Sequence, residues 1–187
     1  IVEPRLSTQW FVAVNKEPKS GGWSIAKMAQ EVVTRGYIRF SPEMYKTIYL
    51  NWMENLHDWC ISRQLWWGHR IPAWHCPACK SIVVSSKPLD KCTNCGNSTI
   101  EQDSDVLDTW FSSGLLPATP LGWPDETSDL TRFYPTSLLI TGFDILFFWV
   151  ARMVMMNTYF MWRERSDTGD ALKNAVPFRE VYIHSLV

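Results

Sequence analysis

The chain has 187 residues, 46% of them hydrophobic, with a formal net charge of −1. That is enough apolar material for the core of one domain, or of one domain with a small insert. The near-neutral balance excludes a general electrostatic nucleic-acid binder, so any such contact must be local. In chain order, residues 1–14 have β-character around Trp10, Phe11 and Val12. No basic head with an apolar run opens the sequence, so no secretion signal is read. Both ends run in apolar, strand-like patterns, and the stretch reads as a piece of something larger. Residues 15–24 carry Pro18, Gly21 and Gly22 and read as a loop, with Ser24 as helix cap. Ile25, Met28, Val32 and Val33 then give a helical stripe that stops at Gly36.

Tyr37 to Phe40 reads as a short strand. Ser41, Pro42 and Glu43 have the order cap, proline, carboxylate that starts a helix. Met44, Ile48, Trp52 and Leu56 follow at four-residue spacing as its apolar stripe, to about Asn55. Residues 57–62 read as a strand, 103–114 as a loop and short helix ended by Gly114. Residues 115–136, with Pro117, Pro120, Pro124 and Pro135, read as a long surface connection. Residues 138–141 read as a buried strand, followed by Gly142 and an apolar helix with Asp144 in its first turn. Strand, glycine and acidic helix start are the parts of a nucleotide site at the edge of a parallel sheet. Ile145 and Trp149, four apart, would share one helix face. A membrane span is excluded because only the seven residues 145–151 lie between Asp144 and Arg152, whereas a span needs about 20. Residues 163–177 read as a solvated loop and 178–187 as a second buried strand. Helices alternating with short strands imply an α/β class with a partial Rossmann-type parallel sheet.

The clearest chemical pattern is two C-x2-C pairs, Cys76/Cys79 and Cys92/Cys95. Each pair turns two sulfurs toward one point, and four thiolates make a closed tetrahedral set suited to structural Zn2+. Disulfides are disfavoured without a secretion signal, and the reading is cytoplasmic. The segment 74–101 is too short for its own core, so metal should hold it folded as a zinc-knuckle insert. The domains read as 1–73, the insert 74–101, and 102–187. Cys60 reads as a buried apolar residue.

Four motifs resemble class I valyl-tRNA synthetases: EPRLSTQWF at 3–11, WCISRQLWWGHRIPAW at 59–74, DVLDTWFSSG at 105–114 and TGFDILFFWVARM at 141–153. Isoleucyl and leucyl enzymes share parts of these, but the LWWGH and GFDI segments look valyl. The resemblance implies a Rossmann catalytic domain split by an editing domain, with this stretch after that insert. It implies ATP, Mg2+, valine and tRNA(Val) as substrates and partners of the full enzyme. It assigns valine binding to Trp110, Ile145 and Trp149. It assigns the ribose of ATP or of the adenylate to Gly142 and Asp144, and adenylate contact to His184, where Ser185 replaces the glycine the family usually has. It puts Arg63, Gln64, Trp67 and His69 near the active-site mouth and the tRNA 3′ end. Neither family ATP signature, His-x-Gly-His nor Lys-Met-Ser-Lys-Ser, occurs in the 187 residues. This stretch alone is therefore expected not to activate valine. A zinc-binding interaction module without catalysis, or an isoleucyl- or leucyl-type fragment, are the competing readings.

Overall fold

The computed structural model describes residues 2–3, 7–19, 21–164 and 170–185. Pro4, Arg5 and Leu6 of the first motif, Ser20, residues 165–169 of the expected solvated loop, and Leu186 and Val187 lie outside the described residues. The elements are β1 (Phe11–Val12), α1 (Ile25–Thr34), β2 (Arg39–Ser41), α2 (Met44–Glu54), β3 (Trp59–Cys60), β4 (Ser62–Arg63), β5 (Ala73–His75), β6 (Ile82–Val84), β7 (Glu101–Gln102) and β8 (Val106–Leu107). They continue with α3 (Thr109–Ser113), a 3-10 turn (Thr119–Leu121), α4 (Ser128–Phe133) and β9 (Thr136–Gly142). A second 3-10 turn (Phe143–Ile145) and a π turn (Leu146–Val150) lead into α5 (Ala151–Glu164), then α6 (Ala171–Ala175) and β10 (Phe178–His184). The chain divides into two compact units. One comprises Ile1–Phe11 and Cys60–Asp108, the other Val12–Trp59 and Thr109–Val187.

The larger unit is built on a parallel sheet in the order β2-β10-β9. Central β10 buries Phe178, Val181 and Ile183, as a strand covered by neighbours should. β9, the helical run after it and β10 form a β-α-β unit, which accounts for the parallel pairing. The core gathers around α5, which packs on α1 and α6. It buries Met153, Val154, Met155, Met156 and Met161 there. The segment Phe143–Arg163 is long and apolar enough to cross a bilayer by length and composition. Here most of it is core, facing Ala26, Met28, Ala29, Val32 and Val33 of α1 and Ala171, Leu172 and Ala175 of α6.

Both ends of α1 match the sequence. The Ser24 hydroxyl accepts from the Lys27 N–H at 3.2 Å. At the other end Gly36 takes φ +73°, its N–H meets Val33 O at 3.1 Å, and Tyr37 N–H meets Val32 O at 2.9 Å. This is a Schellman closure, and the left-handed φ is why glycine stands there.

Five expectations are corrected. Ser41 belongs to β2 and does not cap α2, which begins at Met44 without a side-chain cap. Its buried residues are Tyr49 and Met53, while Met44 and Ile48 face out, so only the Leu56 end of the expected stripe is buried. Residues 115–136 are more than a surface connection. Ala118, Leu130 and Tyr134 form a small core with Met161 and Ala175, and the Tyr134 hydroxyl donates to Ala175 O at 2.8 Å. Strand β9 is an edge strand whose Leu138 and Ile140 are exposed. Alternation puts these two on one face, where both remain open to solvent. The 163–177 loop contains α6, started by Asp170 Oδ1 accepting from Lys173 N–H at 3.3 Å.

The smaller unit holds an antiparallel sheet β6-β5-β7 and an antiparallel pair β4-β8. Ile71, Ala73, Trp74 and Val106 are buried in it. Gly68 lies so close to Val106 that a Cβ there would sit 3.0 Å from the valine side chain.

The two helical methionine positions separate core from surface. Met153→Ala is expected to lower stability by about 2–5 kcal/mol, and Met44→Ala by less than about 0.5 kcal/mol, read by denaturant titration.

Candidate functional site

In the larger unit, α3 and the π turn are brought together by two side-chain contacts. The Trp149 indole N–H donates to Ser113 O at 3.2 Å. Trp110 stacks on Phe148 with centroids 6.1 Å apart and planes 28° from parallel. Trp110, Ile145 and Trp149 are each half-buried, so each keeps a surface that a ligand can meet. Gly114 makes the close approach possible: a Cβ there would lie 2.8 Å from Met156 Sδ and 3.0 Å from Trp110 O. Buried Asn157 ties the same corner, its amide donating to Gly114 O at 2.8 Å and Met153 O at 2.9 Å.

The regular helix expected from residue 143 is absent. A 3-10 turn and a π turn precede α5, so Ile145 and Trp149 do not stand one α-turn apart on a common stripe. Ile145 closes the 3-10 turn at φ −109° and Trp149 lies within the π turn. A π turn widens the helix locally and re-aims side chains, a geometry common at functional sites.

The sheet joins the expected nucleotide residues. In the β9–β10 register Gly142 lies opposite His184, both at the C-terminal ends of parallel strands. Gly142 is buried and precedes the 3-10 turn that carries exposed Asp144. The His184 ring nitrogen Nδ1 is 2.9 Å from Ser185 O. A carboxylate beside free backbone N–H groups at the carboxyl edge of a parallel sheet can accept hydroxyls while the N–H groups face an anion.

In the smaller unit, Arg63 is engaged by the protein itself. Its guanidinium donates to Asp108 Oδ2 at 2.9 Å, Ser62 O at 2.8 Å and Cys60 O at 3.0 Å. Gln64 donates to Gln9 Oε1 and Asp105 Oδ2, both at 2.9 Å. Trp67 is 89% exposed and its neighbour Trp66 fully so. His69 is exposed, and its carbonyl accepts from Leu107 N–H at 2.7 Å. Cys60 is half-buried, with Sγ 3.8 Å from Gln9 Oε1.

The four cysteines converge. Their sulfurs all lie within 4.8 Å of one another, with Cys76–Cys95 at 3.6 Å and Cys79–Cys92 at 3.7 Å. Sulfurs about 2.3 Å from a tetrahedral metal would stand about 3.8 Å apart. Two similar knuckles aim them. Lys80 N–H bonds Cys76 O at 2.9 Å and Gly96 N–H bonds Cys92 O at 2.8 Å. Lys80 and Gly96 both take left-handed backbone, at φ 55° and 76°. The Ser81 hydroxyl, with backbone N–H groups, holds the Cys92 thiol down to about 6. The Asn97 N–H lowers the Cys95 thiol, but the neighbouring thiols, Cys79 first, and burial outweigh it and push it up to about 12. All four could be thiolates together only with a cation between them, and the group can hold a metal ion. His75 is turned away, its Nε2 2.8 Å from Asp103 Oδ2, which also accepts from the Trp10 indole at 2.9 Å.

Residues 1–187 match the family model described as tRNA synthetases class I (I, L, M and V). The chain belongs to this family. Among curated relatives, it is 54% identical over 187 residues to Valine--tRNA ligase of Thermotoga maritima. It is 52% identical over 187 residues to that of Clostridium acetobutylicum. In both cases all of this chain is covered, and it spans 19% of the relative's length. Class I synthetase structures share the fold. Mycobacterium tuberculosis methionyl-tRNA synthetase bound by methionyl-adenylate matches with a TM-score of 0.52 and 17% identity, over 86% of this chain and 24% of that one. The LeuRS-tRNA-LeuAMS ternary complex of Agrobacterium radiobacter K84 matches with a TM-score of 0.55 and 18% identity, over 75% and 22%.

Three contributors escaped the sequence reading: Phe148, the Ser113 carbonyl and Asn157. Phe148 carried a signal in being the middle aromatic of Phe147, Phe148 and Trp149. The carbonyl carried none. For the cysteine cluster, Cys92→Ser is expected to lower bound metal from about one per chain to near zero, read by elemental analysis. It should also speed amide exchange in residues 76–97 while leaving α5 protected.

Proposed function

We propose that the chain is the part of a valine-tRNA ligase that grips the valine side chain and the ribose of the adenylate. The whole enzyme would activate valine with ATP and Mg2+ and transfer it to tRNA(Val) in the cytoplasm. The observation that carries the reading is 50–54% identity to valine-tRNA ligases along the full chain, against 17% and 18% to the methionyl and leucyl structures. In this reading Trp110 and Trp149 flank the isopropyl group and Ile145 closes the slot. A slot of that shape rejects larger side chains by sterics, but it discriminates weakly against threonine, whose hydroxyl adds little bulk. Asp144 accepts the two ribose hydroxyls, a task suited to a carboxylate, while buried Gly142 lets backbone approach the sugar. His184, opposite Gly142, lies alongside the adenylate.

Arg63 and Gln64 fix the base of the 62–70 loop through Asp108, Asp105 and Gln9. With Trp67 and His69 they lie near the active-site mouth and the tRNA 3′ end in this reading, with Trp67 stacking on a base. The metal is structural zinc, with Cys76, Cys79, Cys92 and Cys95 as its four ligands. It leaves no open position for substrate and supplies folding energy to the insert.

Valine-dependent pyrophosphate exchange tests the reading. The full-length enzyme should exchange with valine in preference to isoleucine or leucine. Trp149→Ala should raise KM for valine by roughly 10–200-fold, the value of one to a few methylene contacts. Asp144→Asn should raise KM for ATP with KM for valine little changed. The 187-residue chain alone should show no exchange above a boiled control, because neither ATP signature lies within it. Exchange driven by isoleucine, with valine inert, would sink the assignment.

A further inference from the structure

Arg152 is a guanidinium in the first turns of the most buried helix of the protein, and only 9% of it is exposed. A buried cation needs specific compensation. Here two indoles provide part of it. The Arg152 guanidinium carbon lies 4.3 Å from the ring centroid of Trp59 and 5.4 Å from that of Trp52. Each indole is backed by a second aromatic. Trp52 stacks on Phe147 with centroids 5.0 Å apart and planes 18° from parallel. Trp59 lies against Phe111 at 5.8 Å and 35°. The result is one continuous stack within the larger unit: Phe147, Trp52, Arg152, Trp59, Phe111.

Its two ends are the significant part. Phe111 follows Trp110 on α3. Phe147 sits between Ile145 and Trp149 on the 3-10 and π turns. The stack therefore links the two elements that carry the walls of the valine slot, the same two that the direct Trp110–Phe148 contact joins. The π turn has irregular hydrogen bonding and needs outside support to hold its shape. A planar, always-charged guanidinium stacks on aromatic faces and keeps a fixed thickness, which a flexible methionine in the same place would not.

We propose that Arg152, clamped between Trp52 and Trp59, is a positioning residue that sets the distance between α3 and the π turn, and so the width of the slot that selects valine. It touches neither substrate and acts through Phe111 and Phe147. The inference rests on the reading of Trp110, Ile145 and Trp149 as the valine-binding wall.

The test uses the full-length enzyme with Arg152→Lys, Arg152→Gln and Trp52→Phe, each checked for folding by thermal denaturation. Pyrophosphate exchange is measured with valine and with isoleucine. For Arg152→Gln the expected result is KM for valine raised about 10-fold, and valine-over-isoleucine preference lowered about 10-fold, the low end of what one methylene contributes. KM for ATP should stay within about twofold and kcat within about threefold of wild type, since no group that meets the transition state has moved. Arg152→Lys and Trp52→Phe should fall between wild type and Arg152→Gln. They carry the test if the glutamine variant does not fold. A lowered melting temperature with unchanged KM for valine and unchanged preference would overturn the inference and leave a purely structural stack. So would equal rises in KM for valine and for ATP. The underlying reading fails separately: in that case Trp149→Ala also leaves KM for valine unchanged.

Discussion

Burial of α5 is the constraint on which the larger unit depends. The helix must meet α1 and α6 with Met153, Val154, Met155, Met156 and Met161 while its N-terminal approach stays at the surface. These demands conflict if the helix is regular from residue 143. A regular α-helix would keep one stripe inward throughout. The chain changes pitch instead, through a 3-10 turn and a π turn, before α5 begins. The change lets Leu146 and Val150 remain buried while Asp144 and Phe148 face out. The irregularity thus sits between a packed core and a site that has to be open.

The same geometry separates tasks along a short piece of chain. β9 ends at Gly142 opposite His184, where a parallel sheet presents its carboxyl edge. The next eight residues carry the proposed sugar-binding carboxylate and two hydrophobic walls. Asn157, deeper in α5, ties Gly114 and hence α3 to the core. Removing a buried amide of this kind leaves carbonyls without donors, so its effect would extend beyond its own contacts. The smaller unit follows other rules. It has short strands and little apolar interior, and its most constrained feature is a cluster of sulfurs aimed at one point. Small modules with limited cores commonly rely on such a centre.

What could be read from the sequence followed the range of the physics involved. The cysteine pairs, the Ser24 cap and the Gly36 closure depend on residues within a few positions, and each stands where the spacing put it. The parallel sheet was legible in class, because helices alternated with strands. The face of α2 was misread because Met44, Ile48, Trp52 and Leu56 are as periodic as Tyr49 and Met53, and only the tertiary partner chooses between them. The exposure of Leu138 and Ile140 depends on what lies over the sheet, which alternation does not encode. Proline frequency suggested a plain connection at 115–136, but Leu130 and Tyr134 find apolar partners on α5 and α6. The π turn and the Arg152 stack depend on aromatic groups arriving from residues 52, 59 and 111, so no local pattern announces them. For the site, the resemblance named residues, and the structure adds which of them share a unit: Trp110, Ile145, Trp149, Gly142, Asp144 and His184 in one, Arg63, Gln64, Trp67 and His69 in the other.

The loop carrying Trp66 and Trp67 combines a bare surface with a fastened base. Gly68 lies against Val106 with no room for a side chain. Arg70 reaches the carbonyls of Gln102 and Asp103 at 2.6 Å and 2.8 Å. Backbone freedom at the two indoles is thus surrendered when the unit folds. Ordering a loop and its side chains is among the main costs of association. A flat ring that lands on Trp66 or Trp67 then meets a loop already held at its base, and the exposed indole side chains are what remains to be ordered. Loosening residues 68–70 would then weaken such binding through entropy, with every aromatic contact still available.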